Sequence, residues 1–248
     1  MLNDKVFRSK KAIAAIMLTF LAFFIAGCHK PDEPDDEGIN NGGNDTVVTV
    51  HEFVDLGLAS GTLWATCNVG ADSPEEFGDY FAWGETAPKD VYSWSNYQYG
   101  DTLNGHFAMN KYCSDSEWGY HWYVDSLTIL EPMDDAATAN WGADWRMPTK
   151  EEYEELYQNT SWVWTEVNGV EGRLMTGPNG NSVFFPATGF YLDHEVICPG
   201  LGIYWSNTLQ LSCPERGWSL HFDWESCHVC GTYERCRGQS VRAVRVER

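Results

Sequence analysis

Asn-Gly pairs limit what this chain can fold into more than any other feature. Asn168-Gly169 separates the apolar segments 162–167 and 170–175, and Asn179-Gly180 turns the chain again before 182–185. Both positions of an Asn-Gly pair tolerate the left-handed backbone that a two-residue hairpin requires. Segments 162–167 and 170–175 are therefore expected to pair as antiparallel strands, followed by 182–185. Short apolar runs cut by Gly, Asn and Pro continue over residues 47–248, and 53–58, 62–66, 203–206, 218–222 and 240–246 read as further strands of a mainly antiparallel set. One helix stands out. Thr149 with Glu152 three residues on is a capping box, and Tyr153, Leu156 and Tyr157 share a face until Asn159 offers a stop. Asp134-Asp135-Ala136-Ala137 reads as the start of a shorter helix. A small helical part among many short strands predicts a loop-rich α+β domain with a twisted sheet.

The N-terminal region reads as an address. Lys5, Arg8, Lys10 and Lys11 precede an apolar run over 12–25, which ends in Ile25-Ala26-Gly27-Cys28. A helix of that length spans about 21 Å, short of the ~30 Å hydrocarbon core, so residues 1–27 read as a secretory signal rather than a membrane span. The last four residues resemble the lipobox of bacterial lipoproteins, which implies acylation of Cys28 and cleavage before it. Two or three acyl chains hold a protein on a membrane durably, at about 0.8 kcal/mol per buried CH2. Residues 28–46 are acidic and then Gly/Asn-rich, a solvated linker without an apolar face. Acids directly after the lipidated Cys resemble the surface-export signal of Bacteroidetes lipoproteins, so an outer-membrane lipoprotein displayed at the cell surface is expected. Residues 47–248 are then one folded domain.

Charge narrows the partners. The full chain carries a formal charge of −20, and removing residues 1–27 leaves 12 basic against 35 acidic residues, a charge of −23. Phosphate affinity comes from Lys and Arg, so nucleic acid is excluded as a non-specific partner, and electrostatic adhesion to anionic lipid is disfavoured. The membrane is reached through the lipid anchor instead.

Several stretches carry a family resemblance: Val54-Asp55-Leu56-Gly57-Leu58, the segment 60–71 (SGTLWATCNVGA), Gly78-Asp79-Tyr80-Phe81-Ala82-Trp83-Gly84-Glu85, Asp134-Asp135-Ala136-Ala137, Trp141-Gly142, Trp145-Arg146-Met147-Pro148-Thr149, Tyr204-Trp205-Ser206 and Ser240-Val241-Arg242. In this order, over roughly residues 53–246, they resemble the Fibrobacter succinogenes major paralogous domain. That family resembles the C-type lectin superfamily and, more distantly, the formylglycine-generating enzymes. The resemblance implies a C-type-lectin-like fold whose second helix opens at the Trp145–Thr149 motif.

Candidate sites follow. Gly-x-Ser-x-Gly, His-Glu-x-x-His and a phosphate loop are all missing from the sequence, so no enzyme class is indicated. Beyond Cys28 there are seven cysteines, five of them in the last 51 residues. Outside the cytoplasm they predict one to three disulfides among Cys213, Cys227, Cys230, Cys236 and their neighbours. Cys227-His228-Val229-Cys230 also reads as half a zinc site, with Cys213, Cys236 or His221 completing it, and reduced structural thiols are the third reading. The formylglycine-generating enzymes use paired cysteines, but their motif is not matched here. The Glu-Pro-Asn and Trp-Asn-Asp motifs of calcium-dependent sugar binding are also missing, though Glu131, Asp134 and Asp135 offer hard ligands for a structural calcium. No other cofactor is indicated.

Aromatic residues give the best hint of a binding face, with ten between Asp90 and Tyr123. Tyr92, Trp94 and Tyr97 follow the family pattern and are expected to pack. Trp118, Tyr120, Trp122 and Tyr123 depart from it, and flat apolar faces in a loop suit sugar rings or a protein partner. The expected function is a lipid-anchored, non-catalytic binding or adhesion module for a glycan or a protein. The alternatives are a cysteine- or metal-dependent envelope enzyme and a structural or assembly subunit. Cys28→Ala is expected to abolish incorporation of a palmitate analogue and to release the protein from the membrane fraction, measured by metabolic labelling and fractionation.

Overall fold

The first and last strands of the described chain meet in one sheet. The computed structural model describes residues 51–103 and 106–245. The signal segment 1–27, Cys28 and the linker 28–46 lie outside the described residues. In chain order the early strands are β1 (Phe53–Asp55), β2 (Leu63–Ala65), β3 (Tyr80–Phe81), β4 (Gly100–Leu103) and β5 (His106–Met109). Helix α1 (Ala136–Trp141), strand β6 (Trp145–Arg146) and helix α2 (Lys150–Asn159) follow. Then come β7 (Ser161–Val167), β8 (Val170–Thr176), β9 (Ser182–Pro186), β10 (Phe190–Leu192), β11 (Glu195–Ile197) and β12 (Gly202–Leu209). The chain closes with β13 (Arg216–Phe222), β14 (Cys227–Glu234), β15 (Gln239–Ser240) and β16 (Val244–Arg245). The result is a sheet-rich, loop-rich α+β fold. No helix among the described residues is long and apolar enough to cross a membrane.

Local sequence accounts for the elements that form. Val167 pairs with Val170 around Asn168 and Gly169, whose φ angles of 48° and 87° are those of a type I′ turn. The meander β7-β8-β9 continues from it. At α2 the Thr149 hydroxyl accepts from the Glu152 amide at 3.1 Å, and Glu152 accepts from the Thr149 amide at 2.8 Å. Tyr153 and Leu156 are wholly buried, whereas Tyr157 is 44% exposed and rests against Trp162. Asp135 caps the short helix α1 by accepting from the Thr138 amide.

Two sheets carry the core. The first has the order β1-β2-β16-β6, all antiparallel, and the second runs β14-β13-β12-β15-β3. Strands β12 and β13 are antiparallel as expected, but β15 joins β12 in parallel, Tyr204 beside Ser240. The expected single strand over 240–246 is thus two strands in two sheets. Arg242 sits at the break and turns inward. Its guanidinium donates to Ala65 O at 3.1 Å, Thr66 O at 3.0 Å and Asn68 Oδ1 at 2.9 Å, with Phe185 beneath it. A straight strand cannot point that side chain at the β2–β3 connection. Strand β14 also departs from expectation, because the cysteine-rich segment is the edge strand of the second sheet.

Strand β12 divides the core because successive strand side chains face opposite ways. Tyr204 packs with Trp64, Tyr153 and Phe222, while Trp205 packs with Trp83, Tyr97 and Tyr112. Trp83 and Trp205 are anchored: Trp83 Nε1 donates to Ser206 O and Trp205 Nε1 to Phe81 O, each at 2.8 Å. Arg235, wholly buried, lies among the same rings. Its guanidinium donates to Lys111 O, Tyr112 O and Pro214 O at 2.9–3.1 Å and to the Tyr97 hydroxyl at 2.7 Å. Arg235→Leu leaves these acceptors buried without donors and is expected to cost about 2–4 kcal/mol, whereas Thr149→Ala removes one helix cap and is expected to cost about 1 kcal/mol. Chemical denaturation of both variants measures the contrast.

Candidate binding surface

The aromatic segment lies on the long loop 113–131, which is tied at its base by a compact ionic knot. The Asp134 carboxylate accepts from Lys111 Nζ, from the Tyr112 hydroxyl and from the Tyr99 hydroxyl, each at 2.5 Å. Lys111 also pairs with Glu131 at 2.7 Å, and the Glu131 amide donates to the Tyr112 hydroxyl. Both ends of the loop therefore converge on one carboxylate. Burial alone pushes the Asp134 carboxyl up, but Lys111 and the two tyrosines overcome it and hold it below the usual range. Burial likewise opposes the charge of Lys111, and its two acids more than offset this and raise its pKa.

Asp125 braces the loop from inside. Its carboxylate accepts from the amides of Tyr112, Cys113 and Leu127 and from the Tyr123 hydroxyl, at 2.7–3.1 Å. The Met109 amide donates to Trp118 O at 2.7 Å, which ties the loop to β5. A Cβ on Gly119 would stand 1.8 Å from Tyr123 O, so only glycine lets the 119–123 turn close.

On this frame the four expected aromatic residues divide. Trp118 packs against the core and Tyr120 is half-buried. Trp122 is 78% exposed and Tyr123 38% exposed, with exposed Val124 following. His121 and Trp122 have φ of 51° and 67°, the left-handed region that a bulky side chain rarely occupies. Strain of this kind is of order 1–3 kcal/mol and collects at functional sites. Tyr92 and Tyr97 are buried, as their pattern predicted.

The cysteines do not come together as expected. Cys227 lies in the core cluster of Tyr204 and Cys236 in that of Trp205, while Cys213 sits in the β12–β13 turn. All three are free thiols, as are Cys67, Cys113 and Cys198. Strand β12 and its neighbours hold the Cys213, Cys227 and Cys236 side chains in separate parts of the molecule, so these three do not pair with one another. Cys230 lies on β14, and its side chain is outside the described residues. Burial pushes the Cys227 and Cys236 thiols up to about 12, so neither is a ready thiolate. Burial and Glu215, to which its thiol donates, also raise Cys213. His221 meets the Tyr233 hydroxyl at 3.2 Å rather than a cysteine, and burial lowers its pKa. Among the described residues, no three His, Cys, Asp or Glu side chains gather in a group that could hold a metal.

The acids considered for calcium are otherwise engaged. Asp135 accepts from the Thr138 and Met147 amides, Asp134 from the knot, and Glu131 pairs with Lys111. One concave feature was not anticipated, a cleft bearing Trp164 and Trp224. The available signal was Trp224 beside Asp223 between two strand-like runs, a large apolar side chain where a turn calls for small polar ones.

Two outcomes are expected. Trp122→Gly relieves the left-handed strain and removes an exposed side chain, so it is expected to raise stability by about 1 kcal/mol in denaturant melts. A depressed carboxyl stabilises the fold above its unfolded value of about 3.9 and loses that contribution as pH falls through the folded value. Proteolysis within 113–131 is therefore expected to accelerate below about pH 4 with an acid-stable protease, and Asp134→Asn is expected to be cut quickly already at pH 5.

No family model, curated protein or solved structure matches this chain.

Proposed function

We propose that this chain is an outer-membrane lipoprotein displayed at the cell surface, anchored through Cys28, whose domain is a non-catalytic binding or adhesion module for a glycan or a protein. The scaffold is proposed to be C-type-lectin-like, of the Fibrobacter succinogenes major paralogous domain type. The order of α1 and α2, with α2 opening directly after Trp145-Arg146-Met147-Pro148-Thr149, supports that assignment. The observation that carries the functional reading is Trp122, an indole 78% exposed and held in left-handed backbone on a loop clamped at its base. A large apolar side chain held out of the core at a cost in strain has binding as its natural use. Raised thiol pKa values at Cys227 and Cys236 support this reading over a cysteine-dependent enzyme.

The test uses the whole protein in detergent, with Trp122→Ala and Tyr123→Ala variants of verified fold. Wild type and variants are applied to a glycan array and to a protein array. Retention is expected to fall at least tenfold in Trp122→Ala, or about 1.4 kcal/mol, and less in Tyr123→Ala. Undiminished retention in Trp122→Ala would remove the loop as the binding face. Protease shaving of intact cells is expected to degrade the domain; protection until the outer membrane is breached would overturn surface display.

A further inference from the structure

The cleft bearing Trp164 and Trp224 is built from other elements than the aromatic loop, and its chemistry points to a different kind of contact. Trp164 of β7, Glu171 of β8, Pro199 before β12, and Asp223 and Trp224 in the β13–β14 turn line a cleft of about 360 Å³. That volume is at the small end of ligand pockets, matching one or two sugar rings rather than a protein segment.

The cleft is set before any ligand arrives. Arg173, 7% exposed, stands directly across from Trp164 on β8, its guanidinium 5.9 Å from the indole centroid. The same guanidinium donates to Asp223 O through Nε at 2.9 Å and Nη2 at 2.6 Å, and to Ser226 O at 3.3 Å. One buried side chain thus links the wall carrying Trp164 to the turn carrying Trp224. Asp223 closes that turn, its Oδ1 accepting from the Glu225 amide, the Ser226 amide and the Ser226 hydroxyl at 2.7–3.1 Å. Those three bonds leave Oδ2 free of the turn. Trp224 is 68% exposed at the tip. Its place on a pinned turn gives a flat contact face at little cost in conformational entropy.

We propose that this cleft binds a neutral pyranose unit of a glycan, independently of the aromatic loop. Indole faces match the C–H faces of a sugar ring, and carboxylates, which only accept hydrogen bonds, match its hydroxyl donors. Charge decides against acidic ligands of this shape, and Arg173 takes one of the two indole faces from a cationic one. Uronic and sialic acids meet repulsion from Glu171 and Asp223. Organic cations meet an indole at Trp164 that already faces the Arg173 guanidinium, which weakens its attraction for a second positive charge.

The whole protein in detergent, titrated over immobilised neutral hexose, N-acetylhexosamine, uronic acid, sialylated and chitosan-type oligosaccharides, tests the proposal. At least one neutral oligosaccharide is expected to bind, tenfold or more weaker in Trp224→Ala and weaker in Glu171→Gln. Trp122→Ala is expected to leave that binding within about twofold, which separates this site from the loop. The proposal is overturned by absence of neutral-sugar binding, by stronger binding of the charged sugars, or by neutral-sugar binding that survives Trp224→Ala in a Trp122→Ala background. Because Trp224 is a turn-tip residue with little buried surface, its variant keeps the fold, checked by near-ultraviolet circular dichroism. Glu171→Gln, at an exposed position, gives a second reading free of any packing change.

Discussion

Arg235 is the contact on which the presentation of the loop depends. Its guanidinium is wholly buried and meets no carboxylate among the described residues; carbonyls of three residues, a tyrosine hydroxyl and the rings of Trp83, Tyr97 and Tyr112 surround it. Burying a charge is costly unless hydrogen bonds replace its water, and here the backbone supplies them. Its own amide donates to Glu215 O and its own carbonyl accepts from the Trp83 amide. Four separate stretches of chain are thereby locked at one point. Two of the accepting carbonyls belong to Lys111 and Tyr112, whose side chains form the knot with Asp134. The loop bearing Trp122 consequently rises from a base fixed on both sides, and strain at its tip can be held without loosening the core.

A charge imbalance of −20 is consistent with this arrangement. Acids dominate the surface, while two of the few basic residues, Arg235 and Arg242, are wholly interior. An excess of surrounding negative charge favours cations inside the fold. Arg242 performs for the β2–β3 connection what Arg235 does for the loop, and it decides that the C-terminal segment divides between two sheets. Burial lowers its pKa, against the opposite pull of Tyr204 and Tyr153 nearby.

Rigid bases under exposed indoles recur at the two surfaces. Trp122 is held by Asp125, Gly119 and the Asp134 knot, and Trp224 by Arg173 and Asp223. In each case a buried or half-buried charged side chain satisfies backbone groups, and an exposed tryptophan stands on the segment so fixed. Preorganisation of this kind reduces the entropy lost on binding, which matters most for weak ligands such as sugars. Cys227 and Cys236 take no part in either frame and serve as packing groups, their thiols pushed up by burial.

Where physical cause is local, the chain is legible from its residues alone. The Asn168-Gly169 turn, the Thr149–Glu152 capping box and the Asp135 cap each depend on residues within four positions, and each stands where its pattern places it. The burial of Tyr92 and Tyr97 could also be anticipated from their pattern, but departure from it did not by itself mark exposure, since Trp118 departs as Trp122 does and packs against the core. At Cys227 and Cys230 the spacing of a metal half-site gave no sign of the edge strand found there, because pairing with β13 governs the backbone. Arg235 bonds residues more than 120 positions away, Arg242 more than 170, and the Trp164–Trp224 cleft joins segments about 60 apart. Nothing in local periodicity encodes such meetings. The sequence by itself determined the turns, the helix starts, the acidic surface and the stock of aromatic side chains. Only the tertiary structure decided which tryptophans stay in solvent and which arginines go inside, because that choice follows from which distant carbonyls the folded backbone brings within reach.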